Sequence, residues 1–195
     1  MRTFFVADTH FGHANIIRLT SRPFPGAEAM DAEMAARWNA AVAPGDTVWH
    51  LGDFAVRCKP PRLQALFASL NGRKRLVAGN HDDDGTLRLG WDEVHRETVR
   101  VAEGGQRLLL GHYPLLEWDG FWRGVVHLHG HTHNSIPSTR RRADLGVEAW
   151  DYRPVQLADV LARMAALPDP DPRALPDRQI SNRQIPNRQI MEQAR

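Results

Sequence analysis

Four histidines fall within seven residues of the chain, at His127, His129, His131 and His133. The whole sequence has ten histidines, so this stretch is where metal or proton chemistry is most concentrated. A buried imidazole needs a partner for both ring nitrogens, and histidine is a common protein ligand for divalent metals. The apolar residues before the cluster and Gly130 within it predict a strand that delivers histidines into a loop. Because His-x-His alone does not define a metal site, the hypothesis that this stretch binds a metal depends on whether other potential ligands of the chain lie close to it.

Polar residues with metal-binding side chains follow the other short apolar runs of the chain. We call such a group of polar residues at the end of a predicted strand a polar tip. Residues 3–7, 46–51 and 75–78 are largely apolar and predict buried strands. Helices are predicted between the strands at 29–42 and 61–70. This alternation of strand, polar tip and helix predicts a layered α/β fold.

The second half of the chain changes character. Residues 94–101 and 108–110, with a Gly-Gly turn between them, predict a β-hairpin. Further strands are predicted at 125–129 and 144–147, and a closing helix at 157–166. We expect a second set of antiparallel strands beside the first sheet, so that helices lie outside two sheets.

The polar tips of these strands are expected to meet, because open α/β sheets place their ligand sites at one common edge. The tips supply carboxylate, imidazole and one amide oxygen but no thiolate, a set suited to manganese, iron, zinc or nickel rather than copper(I). Two ions about 3.5–4 Å apart need a bridging carboxylate to offset their repulsion, and Asp53, which follows Gly52, is the candidate. The tips are Asp8, His10, Asp53, Asn80, His81, His112, His131 and His133.

These tips form five ordered blocks between residues 8 and 133. In order and composition they resemble the five blocks of the calcineurin-like metallophosphoesterases. Each block alone is a common pattern, whereas five in series are specific. The resemblance implies a four-layer sandwich of two mixed β-sheets flanked by α-helices, with two metal ions at the sheet edge. The blocks are Asp8-x-His10, Gly52-Asp53, Gly79-Asn80-His81-Asp82, Gly111-His112 and Gly130-His131-x-His133.

The resemblance also implies two sets of metal ligands that share one carboxylate. We expect two divalent ions, manganese or iron first, with zinc or nickel as alternatives. Water held between two such ions ionises near neutral pH and is positioned for in-line attack on phosphorus. The first ion would be held by Asp8, His10, Asp53 and His133, and the second by Asp53, Asn80, His112 and His131.

Three further residues carry expected roles beside the metals. By resemblance, His81 contacts the phosphate and protonates the leaving group, and Asp82 is its orienting partner. His13 either reaches the substrate phosphate or only covers the site. The sequence departs from the family pattern at Val56, where the second block usually continues to another Asp. That Asp does not bind metal directly, so the departure weakens a supporting role and not the metal site.

We therefore predict a metal-dependent phosphoesterase that hydrolyses a phosphodiester or a phosphomonoester by attack of a metal-bridging hydroxide. The phosphodiester is preferred, because protonation by His81 would serve a poor alkoxide leaving group. One alternative is a non-catalytic scaffold of the same fold, which would typically have lost metal ligands. Another is a nucleic-acid-processing phosphodiesterase, for which one candidate cluster is present, at Trp118, Phe121, Trp122 and Arg123.

The composition sets limits on the partners of the protein. A chain of 195 residues suits one domain with a sizeable core. Its 25 basic and 23 acidic residues nearly balance, so the charge does not indicate a nucleic-acid partner. The first apolar run stops at Asp8, which is too short for a signal peptide or a membrane span. We expect a cytoplasmic protein that acts on a phosphate ester without a membrane; the sequence leaves its oligomeric state open.

The composition shifts near residue 168, which divides the chain into a metallophosphoesterase domain at 1–167 and a tail at 168–195. Within the tail, Arg-Gln-Ile recurs with a five-residue period that matches neither a helix nor a strand face. Too few apolar groups are present to offset the entropy of ordering, so a disordered tail is predicted. A helical tail that binds a partner is the alternative.

Overall fold

The computed structural model describes residues 1–169 and places them in two β-sheets. In the first sheet the strand order is β4-β3-β2-β1-β9, and β9 alone runs antiparallel to its neighbour. The four parallel strands therefore end at the same edge, as the sequence predicted for the first three of them. Their bounds are β1 Thr3–Val6, β2 Thr47–His50, β3 Arg73–Val77, β4 Glu93–His95 and β9 Val155–Gln156.

The second sheet has the order β5-β6-β7-β8. Only β5 and β6 form an antiparallel hairpin, whereas β7 runs parallel to both β6 and β8. The prediction of an antiparallel second set was thus wrong for two of the three strand pairs, and the parallel strands bring a second group of carboxyl ends to the site. The bounds are β5 Val99–Glu103, β6 Gln106–Leu110, β7 Val126–His129 and β8 Arg142–Asp144.

The segment 94–101 is not one strand as predicted. Glu93–His95 pairs with β3 in the first sheet, and the chain then crosses to the second sheet, where Val99–Glu103 pairs with β6. An apolar pattern reports that a strand is present but not which sheet it joins, so the crossover could not be read from it. The predicted strand at 144–147 also ends earlier, because Val147 begins a 3-10 helix, Val147–Ala149.

Five α-helices complete the described part of the chain. The predicted helices at 29–42, 61–70 and 157–166 are present within two residues of those bounds, whereas the two shortest helices were not predicted. Prolines occupy the first two positions of the third helix, where no main-chain N–H is required. The bounds are α1 Ala14–Leu19, α2 Ala27–Ala41, α3 Pro60–Ser69, α4 Asp84–Leu87 and α5 Leu157–Ala165.

Strand β1 shows how the layers are built. Phe5 belongs to a core that joins the inner faces of both sheets and also includes apolar residues of α5. Phe4 and Val6 point the other way, into a second core formed with α1, α2 and α3. A third, smaller cluster covers the outer face of the second sheet at Trp118 and Phe121. The chain therefore has the predicted α/β architecture of two mixed sheets flanked by helices.

The tail prediction falls on residues 170–195, which lie outside the described residues. Among residues 1–169, no helix is long and apolar enough to cross a membrane.

Candidate metal centre

The loops that carry the predicted ligands are joined by main-chain hydrogen bonds. The N–H of Asp8 donates to the carbonyl of Gly52 at 3.0 Å, and the N–H of His10 donates to the carbonyl of Asp53 at 3.0 Å. Parallel pairing of β1 with β2 places these loops side by side. The loops of the second sheet are joined in the same way, where the N–H of Gly130 donates to the carbonyl of His112 at 3.0 Å.

One cluster of potential metal ligands consists of Asp8, His10 and His133. One ligand atom from each lies within 4.8 Å of the others. Asp8 and His10 are fully buried, and Asp8 Oδ1 and both ring nitrogens of His10 have no hydrogen-bond partner among residues 1–169. Buried polar atoms are almost always paired, since leaving them unpaired is costly. Coordination of a cation would satisfy these atoms, so the residues fit a metal.

A second cluster consists of Asp53, His112 and His131, again with ligand atoms within 4.8 Å of one another. His112 Nδ1 donates to the carbonyl of Leu51 at 2.9 Å, which leaves Nε2 free of its proton and able to bind a metal. The same Nε2 lies 3.0 Å from Oδ1 of Asn80. The predicted amide ligand is therefore adjacent to this cluster.

Asp53 belongs to the second cluster and also approaches His10 of the first cluster. Its Oδ2 is 3.5 Å from His10 Nε2, and its Oδ1 is 3.5 Å from His112 Nε2. Each carboxylate oxygen thus faces one cluster, which is the arrangement that a bridging ligand requires. The main-chain N–H of His81 donates to Oδ1 at 2.8 Å and helps to hold the carboxylate in this orientation.

Strained backbone marks the site. Non-glycine residues seldom adopt a positive φ, which costs about 1–3 kcal/mol and is found where the surrounding structure enforces it, often at functional sites. Here five of the seven predicted ligands adopt φ angles between 45° and 72°. The sequence contains no signal for this strain, because Asp and His occur in many backbone conformations. The residues concerned are Asp8, His10, Asp53, His131 and His133.

Glycine is required next to Asp53. Gly52 has a φ of +95°, and a Cβ atom at this position would lie 2.5 Å from His112 Nδ1. A Cβ atom at Gly79 would lie 2.3 Å from Asp53 Oδ1. The two glycines therefore let the three loops approach closely enough for Asp53 and His112 to meet.

The electrostatics of the site favour a cation. Burial raises the pKa of Asp8 well above its usual range, and the neighbouring carboxylates of Asp144, Asp53 and Glu148 raise it further. Burial also lowers the pKa values of His10 and His112, so both imidazoles are neutral and able to bind a metal. Clustered carboxylates with neutral imidazoles are costly without a positive charge among them.

His81 and His13 lie at the open side of the centre. The ring of His81 is 5.4 Å from that of His10 and 6.3 Å from that of His13, measured between ring centroids. His81 is exposed and His13 is partly exposed, so both rings can meet a molecule that enters from solvent. Asn80 and His131 are exposed as well, which makes the second cluster the accessible one.

Asp82 forms hydrogen bonds with main-chain groups of two neighbouring loops. Its Oδ2 accepts the main-chain N–H groups of Asp53 at 2.9 Å and Gly79 at 2.8 Å, and its Oδ1 accepts that of Phe54 at 2.8 Å. Asp82 therefore ties the loop after β3 to the loop after β2. Because a carboxylate can accept further hydrogen bonds, its orienting role toward His81 stays a prediction.

The other two histidines of the opening cluster, His127 and His129, belong to neither group of potential metal ligands. His127 is buried and its ring nitrogens lie 3.0 Å from the carbonyl of Leu109 and 3.1 Å from that of Tyr113. His129 is buried beside it, with Nδ1 2.8 Å from the carbonyl of Gly130. Both ring nitrogens of His127 are thus paired with main-chain carbonyls, whereas Nε2 of His129 has no hydrogen-bond partner among residues 1–169.

Sequence reasoning missed two charged residues at the centre, Arg22 and Glu148. Glu148 Oε1 lies 2.9 Å from Nδ1 of His133, and the buried guanidinium of Arg22 contacts the same oxygen at 2.7 Å. Arg22 and Glu148 are 126 residues apart, and neither belongs to one of the five blocks. No local pattern could have joined them.

The fold and the site together define an α/β protein with two candidate metal clusters at the carboxyl ends of parallel strands. The family model for calcineurin-like phosphoesterases matches residues 1–153. The chain belongs to this family of metallophosphoesterases, and is therefore a hydrolase that acts on phosphoric esters and uses divalent metal ions.

Two relatives extend along most of the chain. An uncharacterized protein of Methanocaldococcus jannaschii is 32% identical over 174 residues, which cover 84% of this chain and 90% of the relative. A solved structure of a protein of unknown function from Aquifex aeolicus is 28% identical with a TM-score of 0.65, and the match covers 81% of this chain and 96% of that one. Neither name states a substrate.

Proposed function

We propose that this protein hydrolyses a phosphodiester, or a phosphomonoester as the second possibility, at a centre of two divalent ions. Asp8, His10, Asp53 and His133 would hold one ion. Asp53, Asn80, His112 and His131 would hold the other. The ions, when bound, supply the nucleophile and neutralise the charge that develops on the phosphoryl oxygens.

The position of Asp53 carries the proposal. Its two oxygens lie at equal distances of 3.5 Å from His10 and His112, one in each cluster. A carboxylate that only served the fold would be expected to form hydrogen bonds with both oxygens, yet Oδ2 faces a histidine whose ring nitrogens have no hydrogen-bond partner in the described chain. A shared ligand between two cations gives both oxygens a partner.

The described side chains also suggest how the leaving group departs. The reacting phosphate would enter over the exposed second cluster, within reach of His81. His81 would donate a proton to the leaving oxygen, which an alkoxide requires because it is a poor leaving group. This need for a proton donor is why the phosphodiester is preferred. His13, whose ring lies 5.4 Å from that of His10 and 6.3 Å from that of His81, would face a phosphoryl oxygen.

The donor set supports the choice of metal. Carboxylate, amide and imidazole donors without thiolate favour manganese or iron, with zinc or nickel as alternatives. The lone cysteine, Cys58, is not part of either cluster.

The first test is metal analysis together with hydrolysis of matched chromogenic substrates, a phosphodiester and a phosphomonoester with the same leaving group, with added manganese. We expect two ions per chain and turnover of the diester above that of the monoester. Asp53→Asn should lose most of the bound metal and turnover, because it removes charge from both clusters. A wild-type protein that binds no metal and hydrolyses neither ester contradicts the proposal.

The aromatic cluster no longer supports the alternative of a nucleic-acid-processing enzyme. Trp118 and Phe121 are buried in a small core on the outer face of the second sheet, and only Trp122 of the three aromatic residues is exposed. Stacking platforms for bases must be accessible. The alternative of a non-catalytic scaffold is disfavoured because every predicted ligand position carries a residue whose side chain can bind a metal.

A further inference from the structure

We infer that Arg22 and Glu148 are positioning residues that strengthen binding of the ion held by Asp8, His10 and His133. The inference rests on the proposed two-metal function and adds two residues to it. Both lie behind the first cluster, and neither has a side-chain atom in either group of potential ligands.

Glu148 fixes the ring of His133. Its Oε1 lies 2.9 Å from His133 Nδ1, so that nitrogen carries the proton and Nε2 is left as the metal-binding atom. Because the Glu148 carboxylate accepts this hydrogen bond, it makes His133 a stronger metal ligand.

Arg22 connects Glu148 to the loop that carries Asp8. Its side chain has 0% exposure, and its Nη2 donates to Glu148 Oε1 at 2.7 Å and to the carbonyl of Asp8 at 2.7 Å. Its Nη1 donates to the carbonyl of Thr9 at 2.8 Å. A buried guanidinium is costly to desolvate, and its planar donors fit carboxylate and carbonyl acceptors held at fixed positions. Arg22 thus holds the loop after β1 against Glu148.

The contacts favour one cluster over the other. Within residues 1–169, the hydrogen bonds of the Arg22 guanidinium and the Glu148 carboxylate to oxygen and nitrogen atoms reach Asp8, Thr9, His133 and each other. The second cluster is supported differently, by Leu51 behind His112 and by Asp82 behind Asp53. Loss of Glu148 should therefore weaken binding of one ion and leave the other.

The experiment is a calorimetric titration of the metal-free full chain with manganese, for the wild type, Glu148→Ala and Glu148→Gln. We expect two sites in the wild type. In Glu148→Ala one site should weaken by about 10–100-fold while the other keeps its affinity. Glu148→Gln should weaken the same site less, because its amide oxygen can still accept the His133 Nδ1 proton.

The matched control is Asp46→Asn. Asp46 is also a buried carboxylate paired with an arginine, Arg2. It lies next to Thr47, at the amino end of β2, whereas the metal centre lies at the carboxyl end of that strand. We expect this variant to keep both manganese affinities even where its stability falls. Arg22→Met is a second test variant, which should weaken manganese binding at the same site as Glu148→Ala does.

The outcomes separate the inference from the proposed function. If the wild type binds two ions and hydrolyses esters, but Glu148→Ala and Glu148→Gln keep both affinities, the positioning role is wrong and the function stands. Equal weakening of both sites in Glu148→Gln also overturns the inference, because it indicates general damage to the fold. A wild type that binds no manganese contradicts the proposed function itself.

Discussion

The carboxylate of Asp82 accepts the main-chain N–H of Asp53 at 2.9 Å. The residue beside the proposed proton donor therefore supports the proposed bridging ligand on the neighbouring loop. A site assembled from several loops needs such ties, because ligands must be held close to their productive positions. This tie leads to the first of four predictions.

Asp82→Asn should destabilise the protein and reduce its metal content together. An amide has a single acceptor oxygen, so N–H groups now paired with Asp82 would be left unpaired, at about 1–3 kcal/mol for each buried group. Urea unfolding and metal analysis would measure the two effects. Asp83→Asn is the matched control, because Asp83 caps a short helix through the N–H of Thr86 and Asn caps as well as Asp does. If Asp82→Asn behaves like this control, the tie is unimportant.

His81→Gln should lower kcat for an ester with an alkyl leaving group by about 100- to 10,000-fold while the protein keeps both metals. The side chain is exposed, and the contact of His81 with Asp53 is made by its main-chain N–H, which the substitution retains. The loss should be large for an alkyl leaving group and small for a nitrophenolate, which departs without a proton. Equal losses for the two leaving groups would rule out proton donation. Loss of metal would instead give His81 a part in the metal site.

Gly52→Ala should destabilise the protein by about 1–3 kcal/mol from overpacking against His112, in addition to the backbone strain of its positive φ. Gly105→Ala isolates the strain, because Gly105 has a φ of +82° and nothing within 4 Å of the position that a Cβ would occupy. That control should cost on the order of 1 kcal/mol and leave metal binding unchanged. Thermal unfolding with and without manganese would compare the two variants. Equal stability losses and equal metal binding would show that the close approach does not matter.

The Arg2–Asp46 pair predicts a dependence of stability on pH. Hydrogen bonds from Arg2 lower the pKa of Asp46 from 3.8 to about 2. A carboxyl whose pKa is lower in the folded state stabilises the fold above its unfolded pKa, and this contribution is lost as the pH falls through the folded pKa. The difference in free energy of unfolding between the wild type and Asp46→Asn should therefore be constant above about pH 5 and narrow below pH 3.8. A difference that stays constant down to pH 3 would show that the pair does not shift this pKa.

Some of the site could be predicted because its signals are local. Asp8, Asp53 and Asn80 each follow a short apolar run, and a buried strand that ends in a polar tip is visible within ten residues of sequence. The candidate ligands could be named from residue types alone. By contrast, Glu148 follows a strand whose end was predicted at Val147 but lies at Asp144. Nothing in its neighbourhood distinguishes it from a surface residue.

The sequence by itself determined the first three strands of the first sheet, the family and the set of candidate ligands, because periodic burial and ordered motifs are properties of short segments. The resemblance implied how these residues divide between two ions, and only the tertiary structure decided how closely their ligand atoms approach one another around Asp53. It also decided that Asp82 supports a backbone loop, and that Arg22 and Glu148 stand behind His133. These relationships join residues up to 126 positions apart. These relationships depend on which strands pair and on which buried polar groups then form hydrogen bonds. No single segment of the chain contains that information.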